Sequence, residues 1–249
     1  MTSHSFKTPI AALLLDIEGT TTPIDFVYDT LFPYAREHAS EYLATHQSIP
    51  TVQTDIAGLL EERAEDARRG LDPPPIGGSA EHASLDDVEA YVRWLMDRDR
   101  KTTPLKSLQG KIWDDGYRRG ELRSQVYDDV PRALKRWREQ ARKIYIYSSG
   151  SVLAQKLLFA NTEAGDLTPL LEAYFDTNIG SKKEPESYRR IATQLKVEST
   201  GLLFISDVVS ELDAAASAGV QTLLCVRPGN PPQPASFHPP IMSFDEVFP

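Results

Sequence analysis

The sequence predicts an α/β fold, a doubly wound parallel sheet with an all-helical lobe inserted after its first strand. Three observations predict it. Short continuous apolar runs recur without polar alternation, the pattern of strands covered on both faces. Helical spacing fills the gaps between the later runs. A long segment between the first and second runs carries helical patterns but no convincing strand.

Ile10–Leu15 is the first strand. Beyond it, Val27, Leu31, Ala35, Ala39 and Leu43 recur at helical spacing, with Pro33 expected to bend or restart that helix. Leu85, Val88, Val92, Leu95 and Met96 mark a further helix, with Ser84 as its N-cap. Leu105, Leu108, Ile112 and Trp113 mark another. The clearest linker, Asp72–Gly78 (DPPPIGG), falls inside this helical region. Then follow a strand at Ile144–Tyr147, helices at Val152–Phe159 and Pro185–Leu195, a strand at Leu202–Ile205, a helix at Val208–Ala218 and a strand at Thr222–Val226. Pro228–Pro240 is too broken for helix or central strand and reads as a surface loop. The expected organisation is a core of residues 1–23 and 126–249, with a helical lobe at 24–125.

With 249 residues the chain can bury a sizeable core without disulfides. Its net charge of −9 argues against a nucleic-acid backbone or an anionic membrane as the main partner. The single cysteine, Cys225, excludes an internal disulfide and any multi-cysteine metal cluster, and its apolar neighbours read as a buried strand. Ile10–Leu15 is too short to span a membrane and lacks the flanks of a signal peptide, so an intracellular protein is expected.

In open α/β sheets, ligands gather at the carboxyl ends of the strands. Here those ends read Asp16-Ile17-Glu18-Gly19-Thr20, Ser148-Ser149-Gly150-Ser151 and Ser206-Asp207, with Gly180-Ser181-Lys182-Lys183 before the helix at Pro185. Singly each is weak: acidic strand ends are often just solvated, and serines before a helix are often caps. Together they suit phosphoryl transfer through an aspartyl-phosphate. A carboxylate can attack phosphorus, and water can cleave the acyl phosphate that results. Attack of anion on anion needs neutralisation, which Mg²⁺ and a lysine supply. Asp16 and Asp207 suffice as protein anchors for Mg²⁺. Ser148 would donate to a phosphoryl oxygen, helped by the N-terminus of the following helix. On an extended segment Glu18 would point the same way as Asp16, protonate the leaving group and then activate water.

These segments resemble the four motifs of the haloacid dehalogenase-like superfamily, and within it the enolase-phosphatases of methionine salvage. The likeness is carried by Asp16–Asp25 (DIEGTTTPID), Ile144–Phe159 (IYIYSSGSVLAQKLLF), Phe175–Tyr188 (FDTNIGSKKEPESY) and Val226–Asn230 (VRPGN). The resemblance implies a HAD-like Rossmannoid core with a helical cap. It implies Asp16 as nucleophile and metal ligand, Glu18 as acid/base and metal-site residue, and Asp207 as a further ligand of one Mg²⁺ per chain. Ser148, Ser149 and Lys182 would bind substrate, Lys182 being preferred to Lys183 for its spacing after the glycine. Glu211 would support the metal shell or lie on a solvated helix face. Glu18 stands where the superfamily usually has aspartate, and the subfamily, like this chain, has glutamate there. The implied substrate is a small phosphorylated diketone, 2,3-diketo-5-methylthiopentyl-1-phosphate, enolised and then dephosphorylated to an acireductone. Tyr91, Trp94, Trp113 and Tyr117 would either contact its methylthio group or pack within the lobe.

A magnesium-dependent phosphatase of another small phosphomonoester is the alternative. Metal-free dehalogenation fits the set of Asp16, Glu18 and Asp207 less well. A receiver-type signalling module would be shorter and carry its aspartate on an internal strand. The chain is expected to be a monomer, cytoplasmic, with the nucleus also open to it.

Overall fold

The computed structural model describes residues 6–77 and 83–249, so Gly78, the end of the expected linker, lies outside them. The chain forms two compact units, Met1–Tyr28 with Arg123–Pro249, and Asp29–Leu122.

The first unit is built on a six-stranded parallel sheet of β1 (Ala12–Leu15), β2 (Lys143–Tyr147), β3 (Ala173–Phe175), β4 (Leu202–Ser206), β5 (Gln221–Cys225) and β6 (Pro240–Ile241). Its order is β3-β2-β1-β4-β5-β6. Strand β1 sits at the centre, with Leu15 level with Ile146 on one side and Ile205 on the other. Every residue of β1 and β4 is buried, as expected for apolar runs covered on both faces, with Ser206 the one polar residue among them. Leu14, Tyr147 and Phe204 pack on one face against Tyr188, Ile191 and Leu212. The alternate residues, among them Leu13, Ile146 and Leu203, point to the opposite face. The chain leaves β1 towards β2 and β3, then returns to place β4 on β1's other side. The strand order therefore reverses between β1 and β4, and their carboxyl ends flank the crevice where such sheets bind ligands.

The helical unit holds α1 (Phe32–His46), α2 (Pro50–Arg68), α3 (Leu85–Met96) and α4 (Thr103–Arg118), with α1 and α2 each packed on α3 and α4. The expected restart at Pro33 is seen: a π-helical turn ends at Leu31 and α1 begins at Phe32 with the proline in its first turn. Ser84 caps α3 in a reciprocal capping box with Asp87. Tyr91, Trp94, Trp113 and Tyr117 are buried within the unit. The Tyr91 hydroxyl donates to Asp66 and the Trp113 indole to the Leu31 carbonyl.

Sequence reasoning missed α2 because its inward stripe is Val52, Asp55, Leu59 and Asp66, two of the four being charged. Lys111 pairs with Asp55, while Tyr91 and Arg100 satisfy Asp66 at 2.7 and 3.3 Å. In the sheet unit, α5 (Asp129–Glu139), α6 (Val152–Ala160), α7 (Pro185–Leu195) and α8 (Val209–Ser217) complete the layers. Of these, α5 was also missed, although Val130, Ala133, Leu134 and Trp137 bury a helical stripe. Strands β3 and β6 are too short to leave a pattern, and Pro240 is tolerated because β6 is an edge. No helix among the described residues is long and apolar enough to cross a membrane.

Candidate active site

Asp16 follows β1 directly, and its amide donates to the Ile205 carbonyl at 3.0 Å, so it stands at the crevice between β1 and β4. The chain then bends, and the amides of Thr20, Thr21 and Thr22 all donate to the Ile17 carbonyl. Glu18 is half-buried on this turn and bridges to Thr22. The turn therefore opens after Ile17, with Glu18 as its first residue. Gly19 has φ +70°, and a Cβ there would come within 2.5 Å of Asp207 Oδ2. Only glycine fits that turn against that carboxylate.

Lys182 is buried, with Nζ 2.6 Å from Asp16 Oδ1 and 2.6 Å from Glu211 Oε2. Lys183 is exposed. The loop that carries Lys182 is pinned from below. Tyr147 donates to the Gly180 carbonyl at 2.9 Å, Ser187 to that of Ser181 at 2.8 Å and Tyr188 to that of Lys182 at 2.7 Å. Asp16 Oδ1 also accepts from the Ile17 amide at 2.7 Å, and Oδ2 from Ser206 Oγ at 2.8 Å. Glu211 is thus a buried partner of the lysine rather than part of a solvated helix face.

Burial alone would lower the Lys182 pKa, but Asp16 and Glu211 more than offset it and hold the ammonium above its usual range. Burial and then the Asp16 carboxylate push Asp207 up to about 7. Glu211 is raised by the same two causes. Lys182 thus pairs with two carboxylates, and a third, Asp207, feels the charge of Asp16. Asp207 Oδ1 is buried without a partner, so the cluster is short of positive charge and of donors. Among the described residues, no three His, Cys, Asp or Glu side chains converge as a metal cluster. An all-oxygen site with two carboxylates suits Mg²⁺, which keeps water and substrate oxygens for its other positions.

Ser148 is buried at the end of β2, where its hydroxyl accepts from the Gly150 amide at 3.1 Å, and Ser149 is half-buried beside it. Neither is the cap of α6, because Ser151 takes that role and accepts from the Ala154 amide. The serine pair is therefore left for other work. Gln155 fixes this loop, donating to the carbonyls of Gly150 and Phe175 at 2.8 and 2.9 Å. Sequence reasoning assigned no role to Gln155 or Ser206. Ser206 was visible only as a polar strand end, and Gln155 looked like any helical glutamine.

A family profile described as haloacid dehalogenase-like hydrolase matches residues 10–219. The chain is 50% identical over 238 residues to the enolase-phosphatase E1 of Synechococcus elongatus, covering 96% of this chain and 98% of that one. It is 46% identical to the enolase-phosphatase E1 of Xenopus tropicalis, covering 92% and 90%. The crystal structure of the UTR4 protein of Saccharomyces cerevisiae is similar, with a TM-score of 0.75, 33% identity and coverage of 95% and 99%. With likeness of this depth along nearly its whole length, the chain belongs to the haloacid dehalogenase-like hydrolases and, among them, to the enolase-phosphatase E1 family.

Proposed function

We propose that the chain, as an enolase-phosphatase, converts 2,3-diketo-5-methylthiopentyl-1-phosphate to the acireductone of methionine salvage with release of phosphate, through a phosphorylated Asp16. The observation that carries the catalytic assignment is the placement of Lys182 between Asp16 and Glu211, at 2.6 Å from each. The substrate is first enolised, its C1 proton leaving and the C2 oxygen gaining one; Asp16 then attacks phosphorus and the bond from phosphorus to the substrate oxygen breaks, with Glu18 delivering a proton to that oxygen. Asp16 loses its negative charge as it becomes an acyl phosphate. Lys182, kept charged by Glu211, then faces the phosphoryl oxygens. Glu18 next takes a proton from water as the water attacks phosphorus; the bond from phosphorus to Asp16 breaks, Asp16 is regenerated and orthophosphate is released. Ser148 and Ser149 hold phosphoryl oxygens at the N-terminus of α6.

Asp16 and Asp207 would hold one Mg²⁺, with Glu18 contributing from the same turn. When bound, the ion neutralises phosphoryl charge and stabilises the enolate oxygen. The helical unit takes the role of a cap that excludes water during turnover. A cytoplasmic enzyme, in a compartment that keeps thiols reduced, accords with the single buried cysteine.

The test supplies the diketo phosphate and follows enol absorbance and phosphate release together, for the wild type and Asp16→Asn. The expected result is both signals in the wild type and neither phosphate nor phosphoenzyme in a folded Asp16→Asn protein. Phosphate without any enol signal reduces the activity to that of a plain phosphatase. Turnover by Asp16→Asn removes the nucleophile assignment.

A further inference from the structure

The segment Val226–Asn230 carries part of the family likeness, yet no step above uses it. It leaves β5 and reaches back over the turn that bears Asp16 and Glu18. Arg227 is buried, its Nε and Nη2 donating to the Thr20 carbonyl at 3.3 and 3.2 Å, while its Nη1 donates to Asp129 at 2.9 Å. Asn230 Nδ2 donates to the Gly19 carbonyl at 2.9 Å. Two successive carbonyls of the turn are thus gripped by one short segment.

The other end of the Asn230 carboxamide has a different outlook. A carbonyl can only accept, so Nδ2 must be the atom that faces Gly19, and Oδ1 points elsewhere. That Oδ1 is buried and without a partner, as is Asp207 Oδ1. The two side chains flank one gap, since a Cβ on Gly19 would lie 2.5 Å from Asp207 Oδ2 and 3.0 Å from Asn230 Oδ1. Both also line a cavity of about 360 Å³, with Leu224, Val226 and Gln233. A site with buried oxygens and room for water calls for a hydrogen-bond donor.

We propose that Asn230 is a positioning residue of this site, its Nδ2 fixing the Gly19 carbonyl and its Oδ1 accepting a hydrogen bond from water carried by a divalent cation at Asp16 and Asp207. The inference rests on the metal-assisted reading above. Asparagine suits the place because one planar, uncharged group offers a donor to the turn and an acceptor to the gap. Leucine would offer neither.

The test titrates MgCl₂ against the thermal midpoint of the wild type, Asn230→Ala and Asn230→Asp, without substrate, and compares kcat and KM afterwards. Loss of a residue supporting a metal site costs about 10–100-fold in metal affinity. Asn230→Ala should therefore need at least about tenfold more Mg²⁺ for half its stabilisation. Asn230→Asp keeps the shape and the acceptor, and should respond at or below the wild-type Mg²⁺ concentration. Its altered grip on Gly19 should lower kcat more than it raises KM. A purely structural residue would lower the metal-free midpoint and leave the Mg²⁺ dependence unchanged. That result in Asn230→Ala overturns the inference, as does an Asn230→Asp protein no better than Asn230→Ala. A wild type with no Mg²⁺ response overturns the metal reading itself, and this inference with it.

Discussion

Ser206 Oγ donates to Asp16 Oδ2 at 2.8 Å, joining the ends of two neighbouring strands 190 residues apart in the chain. The same hydroxyl lies 3.2 Å from Glu211 Oε2 and accepts from the Val208 amide at 3.2 Å. It is the neutral group that holds the nucleophile's second oxygen while Lys182 holds the first.

Ser206→Ala leaves that buried carboxylate oxygen without its donor, which costs about 1–3 kcal/mol. Urea unfolding should show the loss, and kcat should fall with KM little changed. A variant with wild-type kcat would show that the hydroxyl does not orient Asp16.

Lys182→Ala strands two carboxylates in a buried place, and breaking a buried pair in this way costs about 3–5 kcal/mol. It should abolish turnover and lower the unfolding midpoint sharply. Lys183→Ala, at an exposed position, should stay within about 0.5 kcal/mol of wild type. Denaturation and phosphate-release assays on both variants decide the matter, and the reverse order would name Lys183 as the catalytic cation.

The Cys225 thiol is pushed up to about 12 by burial, which the nearby Arg227 does not offset. In the folded protein the thiolate fraction at pH 8 is then about one in ten thousand, so a disulfide reagent should react only as fast as the protein opens. The neutral thiol is the form the fold prefers. Its contribution to stability is full below the ordinary value of 9.0 and is lost as pH rises from there towards about 12. Rapid, stoichiometric labelling of native protein at pH 8 would contradict the burial.

Tyr91→Phe removes the hydroxyl that donates to buried Asp66 at 2.7 Å and leaves Arg100, at 3.3 Å, as that oxygen pair's other partner. Burial and Asp66 hold the Tyr91 hydroxyl protonated. The helical unit should lose about 1–3 kcal/mol. Hydrogen exchange should show faster opening of α2 and α3 while the sheet amides keep their protection.

Chelation should silence the enzyme, and Mg²⁺ should restore it while raising the thermal midpoint, because a ligand that binds only the folded state stabilises it. Full turnover in excess chelator would remove the metal from the mechanism.

The four strands that cross the middle of the sheet could be read directly, because a strand covered on both faces carries a continuous apolar run, as Leu202–Ile205 does in β4. What escaped was structure whose signal is shared between distant residues. Helix α2 spends two of its inward positions on Asp55 and Asp66, and their partners Lys111, Tyr91 and Arg100 come from other elements. At the site, Asp16 and Asp207 stood out by charge at strand ends, and Lys182 by its place after a glycine and before a helix. Ser206 and Asn230 did not, since a hydroxyl or an amide acquires a task only when the fold sets an oxygen beside it.

Arg227 and Asn230 hold the Thr20 and Gly19 carbonyls across 207 and 211 residues of sequence. A growing polypeptide therefore carries Asp16 and Glu18 before the two side chains that hold their turn. Until Asn230 has been made, the reactive carboxylates lack the grip that orders them.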